Sequence, residues 1–501
     1  MSSVLIIFIA LVLSVFYRYN TIGTETVWWE THIPTFTFIV LSLYLLLSQK
    51  YRHQVIHEFA MSMATISIVG VVSVFLAGRY NTSIYAMGIT LSIPAVTYFA
   101  DTNKKWLLTI IVLVYLTCFV AVSLAGSRTG IIAMLLSAIY LSYRILHFKK
   151  YILLSSGILM LFAIVSVLIF IKNDSTAGRA FILKNSMEMI AERPLGWGED
   201  GFESNYMLYQ AKYFNNNNDE RREILADDIK HPLNEYIYIA VNYGIHTLLL
   251  FLALIGTAIY LLYKKRDKES CCCLHFIALL LLWSCFSYPL FVSFVLVMAM
   301  AYIPVLPFTN SLITSKSIIR YTMVALLLAY GGASIMAFND ERIWNNAINE
   351  YREGNKQAAM AVFNQWKNYR IDKGRLLFSL ATVEYNNKDY DRCINIYNEC
   401  KNYLSSYDLE LIIANCYMFT GNHDKALEHF SLAHNMCPNR FVPLYKKFKI
   451  YKEQGDTAKM KSIGNEIITK KIKVHSHKID IINNNVRFEM QRIKNNDITF
   501  E

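Results

Sequence analysis

Three stretches of this 501-residue sequence put residues that do chemistry where they are costly to keep. The first is Gly126-Ser127-Arg128-Thr129-Gly130, a tight connection between two apolar runs. A guanidinium left unpaired beside hydrocarbon costs roughly 2.5 kcal/mol or more on insertion scales. Arg128 therefore meets an anion, with Ser127 as a second candidate for that ligand, or it snorkels to lipid headgroups. The second stretch runs from Gly178 to Ile190. Apolar positions 181, 182, 186/187 and 190 predict an amphipathic helix ended by Pro194. Arg179 then falls in the first turn, the wrong end for a cation if only the helix dipole mattered. Amides plus a guanidinium at a helix start suit a phosphate. A surface ion pair is the competing reading, and Lys184 shares the helix.

The third stretch leads from Pro194-Leu195-Gly196-Trp197-Gly198 to His231-Pro232-Leu233-Asn234-Glu235-Tyr236. Gly196 and Gly198 permit a turn against another backbone. His231 stands where the chain returns to apolar sequence. A neutral imidazole there accepts a proton near pH 7, or serves only structurally. Asn234, Glu235 and Tyr236 complete the candidate set. No second His, Cys or carboxylate lies at ligand spacing around His231, so no metal is expected. His53 and His57, at i and i+4, have no third ligand. No Walker motif or G-x-G-x-x-G occurs, so no nucleotide cofactor is expected.

The elements that must position these residues follow from composition. The chain is 54% apolar and 17% charged, with a net charge of +11. The first 338 residues hold 42 of its charged side chains and the last 163 hold 45. Runs such as Trp106–Ala125, 20 residues without a charge, exclude a soluble globular protein. No block of like charge points to nucleic acid. The nine cysteines form no C-x-x-C and read as small buried hydrophobes. Met1–Tyr17 lacks a basic n-region and a small-residue cleavage site, so a cleaved signal peptide is not expected.

Apolar segments fall near 3–17, 33–48, 60–77, 84–100, 106–125, 129–146, 151–171, 236–263, 271–287, 290–307 and 319–338. The expected fold is all-α: a polytopic membrane protein of about 11 transmembrane helices over 1–338, followed by a helical domain over 339–501. One alternate set of loops is rich in Lys and Arg (Lys50, Lys104, Lys149, Lys264 and their neighbours). The other carries only Arg18, Arg79 and Arg128. The rich set, and with it the amino terminus, is assigned to the cytoplasm. Segment 172–235 and the tail are then periplasmic.

In the tail, Gly354-Asn355, Lys388-Asp389, Gly421-Asn422 and Gly455-Asp456 recur at offsets of 34, 33 and 34. With apolar residues at helical spacing around them, this resembles tetratricopeptide repeats. Such an array offers a surface for a protein partner, or braces the membrane domain.

Two arginines and a histidine on one outer membrane face suit chemistry on a lipid pyrophosphate, since arginine matches phosphate oxygens bidentately. Residues 60–310 resemble the O-antigen ligase/polymerase superfamily of bacterial membrane glycosyltransferases. The resemblance rests on Ser127-Arg128-Thr129-Gly130, on Arg179 followed by Glu192-Arg193-Pro194-Leu195-Gly196-Trp197-Gly198, and on Asn234-Glu235-Tyr236 leading into Asn242-Tyr243-Gly244-Ile245. It implies transfer of a glycan from an undecaprenyl-pyrophosphate donor to a hydroxyl on lipid A-core, protein or a growing glycan, at the inner membrane, without cofactor. Arg128 and Arg179 would bind the pyrophosphate, and His231 would be the base for an inverting displacement. The family usually has His directly before the Asn. Here that position is Leu233, which leaves Glu235 as an alternative base. A flippase of lipid-linked glycans is the reading from another class; it expects charges within the spans and no large outer loop.

Overall fold

The computed structural model describes residues 82–97, 105–146, 173–265, 267–292, 295, 299, 317–365 and 372–498. Among them every regular element is helical. In chain order these are α1 Thr82–Thr97, α2 Lys105–Leu124, α3 Arg128–Leu146, α4 Asn173–Glu192, α5 Gly201–Asn216, α6 Glu220–Leu225, α7 Glu235–Tyr243, α8 Ile245–Lys265 and α9 Lys268–Phe286. A short 3-10 turn, Pro289–Phe291, follows. Then come α10 Ser317–Arg352, α11 Lys356–Phe363, α12 Lys373–Asn386, α13 Tyr390–Cys400, α14 Tyr407–Phe419, α15 His423–Met436, α16 Val442–Glu453, α17 Thr457–Thr469 and α18 His477–Ile498.

The chain forms two compact units: residues 1–171, 233–236 and 249–355, and residues 172–232, 237–248 and 356–501. This division differs from the compositional one at 338/339. That position lies inside α10, where an apolar amino-terminal half runs on as polar helix without a breaker. Expected spans near 3–17, 33–48, 60–77 and 151–171 lie outside the described residues, as does most of 290–307. So do Lys50, Lys104 and Lys149 of the basic loops.

In the first unit, α1, α2, α3 and α9 surround a core that includes Met87, Ile89, Leu91, Val122, Met134, Phe276, Leu279 and Trp283. Polar side chains join these helices where hydrocarbon would leave them unsatisfied. The Trp283 indole N–H donates to Thr90 Oγ1 at 2.9 Å, and His275 Nε2 lies 2.9 Å from the Ser137 hydroxyl. Helices α8 and α9 are long and apolar enough to cross a membrane. Ser83–Ala95, Thr109–Leu124 and Arg128–Ser142 are shorter apolar stretches. On α8, Leu249, Leu250 and Leu254 turn outward, as on α2 do Leu113, Leu116 and Leu124. The apolar run 236–263 is not one helix. It breaks at Gly244, whose φ of 89° is open to glycine and strained for other residues.

The second unit joins helical hairpins to the segment 173–232. Hairpins α12–α13, α14–α15 and α16–α17 stack in order, and α18 closes the array against α17. The repeat offsets have a backbone meaning. Gly354, Lys388, Gly421 and Gly455 all hold positive φ, between 64° and 98°. In each turn the next residue's amide bonds a carbonyl five residues back: Asn355 to Glu350, Asp389 to Glu384, Asn422 to Tyr417 and Asp456 to Tyr451. This is a helix C-terminus closed by a left-handed residue. Asp389, Asn422 and Asp456 then cap the following helices, accepting from the amides of Arg392, Lys425 and Lys459.

Segment 173–232 is held on these hairpins by polar bonds. The fully buried Gln210 amide donates to Met436 O at 2.6 Å and Asp227 O at 3.0 Å, and accepts from the Tyr206 hydroxyl at 3.1 Å. The Ser405 amide and hydroxyl both donate to Glu203 O. Arg440 pairs with Asp227 at 2.9 Å, and the Asn439 side chain donates to Ala226 O.

Candidate functional site

The first unit carries Ser127, Arg128, Asn234, Glu235 and Tyr236. Gly126, at φ 67°, turns the chain from α2 into α3. Ser127 is buried, and its hydroxyl caps α3 by accepting from the Gly130 amide at 3.2 Å. Gly130 keeps that turn close to its neighbours: a Cβ there would lie 2.7 Å from Val122 Cγ1 and 2.9 Å from Ala86 Cβ. Arg128 is thus the half-buried first residue of α3. Its guanidinium adds to the positive end of the helix dipole, an arrangement that an anion relieves.

Asn234, Glu235 and Tyr236 form a consecutive clamp on the end of α9. Asn234 Nδ2 donates to Cys285 O at 3.0 Å, and the Tyr236 hydroxyl donates to Leu281 O at 3.1 Å. Glu235, 1% exposed, accepts the Leu290 N–H on Oε1 at 2.8 Å. Burial pushes its carboxyl up to about 7, and the Leu290 bond offsets part of that rise. Leu233 enters the clamp at φ 55°, a left-handed conformation rare for a bulky residue.

The second unit carries Arg179, Lys184, Gly196, Gly198 and His231. The helix expected around Arg179 is present and ends at Glu192, before Pro194. It already includes Asn173, however, so Arg179 is not in its first turn. Asp174 occupies that turn, where a carboxylate suits the dipole. The half-buried Arg179 is therefore not grouped with the free amides of a helix start. Lys184 sits with its Nζ 4.5 Å from the centroid of the Tyr213 ring. This corner is aromatic, since Phe181 also meets Tyr213 edge-on at 4.9 Å.

Gly196 and Gly198 shape a backbone contact. The Trp197 amide donates to Val241 O and the Gly198 amide to Asn242 O, both at 2.8 Å. The Ile245 amide donates to Pro194 O at 2.9 Å. The buried Asn242 side chain accepts from the Phe202 amide at 2.8 Å. Asn242 and Gly244 were not among the expected site residues; the signal for them is a polar residue and a glycine inside an apolar run. The His231 ring stacks on Tyr238, with centroids 4.9 Å apart and planes 15° from parallel. Burial draws its imidazole down to about 4, so at neutral pH the ring is uncharged. Among the described residues no cluster of His, Cys, Asp or Glu suits a metal ion.

Among the described residues every regular element is helical, and two helices are long and apolar enough to cross a membrane. Residues 112–252 match a family model described as O-antigen ligase. The matched stretch, under a third of the chain, runs from α2 into α8 and supports a membrane glycosyltransferase-like function. No curated protein matches the chain.

Proposed function

We propose that the protein transfers a glycan from undecaprenyl pyrophosphate to a hydroxyl acceptor at the periplasmic face of the inner membrane. The observation that carries this reading is the family match over 112–252, which contains every candidate residue named above. In the step, the acceptor oxygen bonds to the anomeric carbon as the bond from that carbon to the phosphate oxygen breaks. The configuration inverts, and pyrophosphate leaves on its lipid. Arg128 and Arg179 bind the phosphates and stabilise the charge that develops on the leaving group. The acceptor proton passes to a carboxylate or an imidazole. Glu235, with its raised pKa, is better matched to that task near pH 7 than His231, whose depressed pKa makes it a weak base. The carboxyl-terminal hairpins are tetratricopeptide-like. Ligation to lipid A-core, polymerisation and transfer to protein share this step.

The test deletes the gene, analyses lipopolysaccharide and glycoproteins, and complements with Arg128→Ala and Arg179→Ala. Loss of glycan transfer at normal expression is expected for both. Full restoration by both would remove the pyrophosphate site from the reading. A lost lipopolysaccharide ladder assigns the acceptor as lipid A-core, and unglycosylated proteins assign it as protein.

A further inference from the structure

We propose that Cys393 and Cys416 are joined by a disulfide that staples the α12–α13 hairpin to the α14–α15 hairpin. Both lie within the second unit, Cys393 on α13 and Cys416 on α14. The structure holds them as thiols, each 0% exposed. The Cys393 thiol donates to Ala381 O at 3.3 Å across its own hairpin, and the Cys416 thiol is hydrogen-bonded to it from the next. Sulfurs in contact already point at one another, as the short Cβ separation of a disulfide requires.

The repeat explains why they face. Cys393 stands five residues after the turn residue Lys388, and Cys416 five residues before the next one, Gly421. At the following junction the same two places hold Ala426 and Ile450, both fully buried and in one core cluster. At the preceding junction they hold Ala359 and Val383, also buried. Each hairpin thus meets the next at this point, through apolar side chains at two junctions and through two thiols here. The other cysteines of the tail have different surroundings. Cys400 donates to Gly374 O at 3.6 Å, and Cys437 lies among the charges of Asp228, Arg440 and Asp227.

The inference rests on the periplasmic assignment of the tail, since disulfides persist on the oxidising side of a membrane. The two thiols give up two protons and two electrons as the S–S bond forms. The disulfide of a thiol oxidant takes them and becomes two thiols. The bond to Cys416, together with burial, holds the Cys393 thiol far above its ordinary range, so thiolate is scarce in the closed array. The disulfide therefore forms while the hairpins are open, and burial then shields it from reduction. It closes a loop of 24 residues, which removes entropy from the unfolded chain.

The test precipitates whole cells with acid, alkylates the full chain in denaturant and maps its peptides by mass spectrometry without reduction. A linked 393–416 peptide, two hydrogens lighter than the dithiol pair, is expected in most of the chain. A purified sample, equilibrated with oxidised and reduced glutathione long enough for the hairpins to open, should form the same link. Free thiols at both positions in that sample would overturn the pairing, whichever side of the membrane the tail occupies. A link there but not in cells would also overturn the proposal, and would fault the periplasmic assignment rather than the sulfur contact. Neither outcome bears on glycan transfer, which is measured separately. The double variant Cys393→Ala/Cys416→Val copies the preceding junction and so keeps the fold. Dithiothreitol should lower the melting temperature of the wild type by roughly 5 °C or more and leave the double variant unmoved. An equal shift in both would remove the staple.

Discussion

Gly196 and Gly244 meet backbone to backbone. A Cβ on Gly196 would stand 2.5 Å from Asn242 O and 2.7 Å from Gly244 N, and one on Gly244 would stand 2.6 Å from Leu195 C and O. Both hold positive φ, 98° and 89°. The atoms in the way are main chain, which cannot rotate aside, so two penalties act together. Gly196→Ala and Gly244→Ala should each cost at least about 2–3 kcal/mol from strain and overpacking. Gly198→Ala shares the positive φ but meets nothing within 4 Å, so about 1–2 kcal/mol is expected. Thermal unfolding of the purified variants gives the ranking. If Gly198→Ala is as damaging as Gly196→Ala, the close contact is not what makes Gly196 necessary.

Gln210 is expected to hold the 173–232 segment on the hairpins. Replacing it with Leu keeps the volume but strips the Asp227 and Met436 carbonyls of their donor, at about 1–3 kcal/mol. Gln210→Glu should be worse, because a carboxylate would face two carbonyl oxygens. Limited proteolysis checks this at the exposed Asn215–Asn218 stretch. Cleavage should accelerate in the order wild type, Leu, Glu. An unchanged rate in Gln210→Glu would show that other contacts carry the segment.

The two halves of that interface were unequally legible in the sequence. A repeat written in turn residues is periodic, so the offsets at Gly354, Lys388, Gly421 and Gly455 could be read directly, and each proved to be a positive-φ position. Lys388 holds the same positive φ without being a glycine. The docking of 173–232 left no such mark. It relies on scattered side-chain-to-carbonyl bonds, such as Gln210 to Met436 and Asn439 to Ala226, whose partners are over 200 residues apart. Hydropathy likewise merged α7 and α8, since Gly244 breaks the helix without breaking the apolar run. For the candidate site, the sequence offers residue types and spacing but no partners. Not legible was that Ser127, Gly196 and Asn234 would bond to the protein's own backbone.

Leu233 is a place where a substitution should help. At φ 55° it bears strain of about 1 kcal/mol that Asn, at ease in the left-handed region, largely avoids. Leu233→Asn is expected to raise stability by about 0.5–1 kcal/mol in thermal unfolding. A loss of stability instead would show that packing of the half-buried leucine outweighs its strained backbone.

His231 and Glu235 should make opposite contributions to stability across one pH window. The folded imidazole titrates near 4 against an ordinary 6.5, so between those values the unfolded chain holds the extra proton. Stability from His231 therefore rises with pH up to about 6.5 and is lost on acidification toward 4. The folded Glu235 carboxyl titrates near 7 against an ordinary 4.5, so the folded chain holds the extra proton and stability falls as pH rises through that range. From 4.5 to 6.5 the two slopes, about one proton each, cancel. Removing either residue should uncover the other. Glu235→Gln should become more stable from pH 4.5 to 6.5, and His231→Asn less stable over the same interval. Each swing is up to about 3 kcal/mol, measured as melting temperature against pH in nanodiscs. The same pair separates the candidate bases. With Glu235 as the base, the transfer rate climbs through pH 7 as its carboxyl ionises, and Glu235→Gln abolishes that climb. With His231 as the base, the rate is already level above about pH 5, and a climb near 7 in wild type would exclude it.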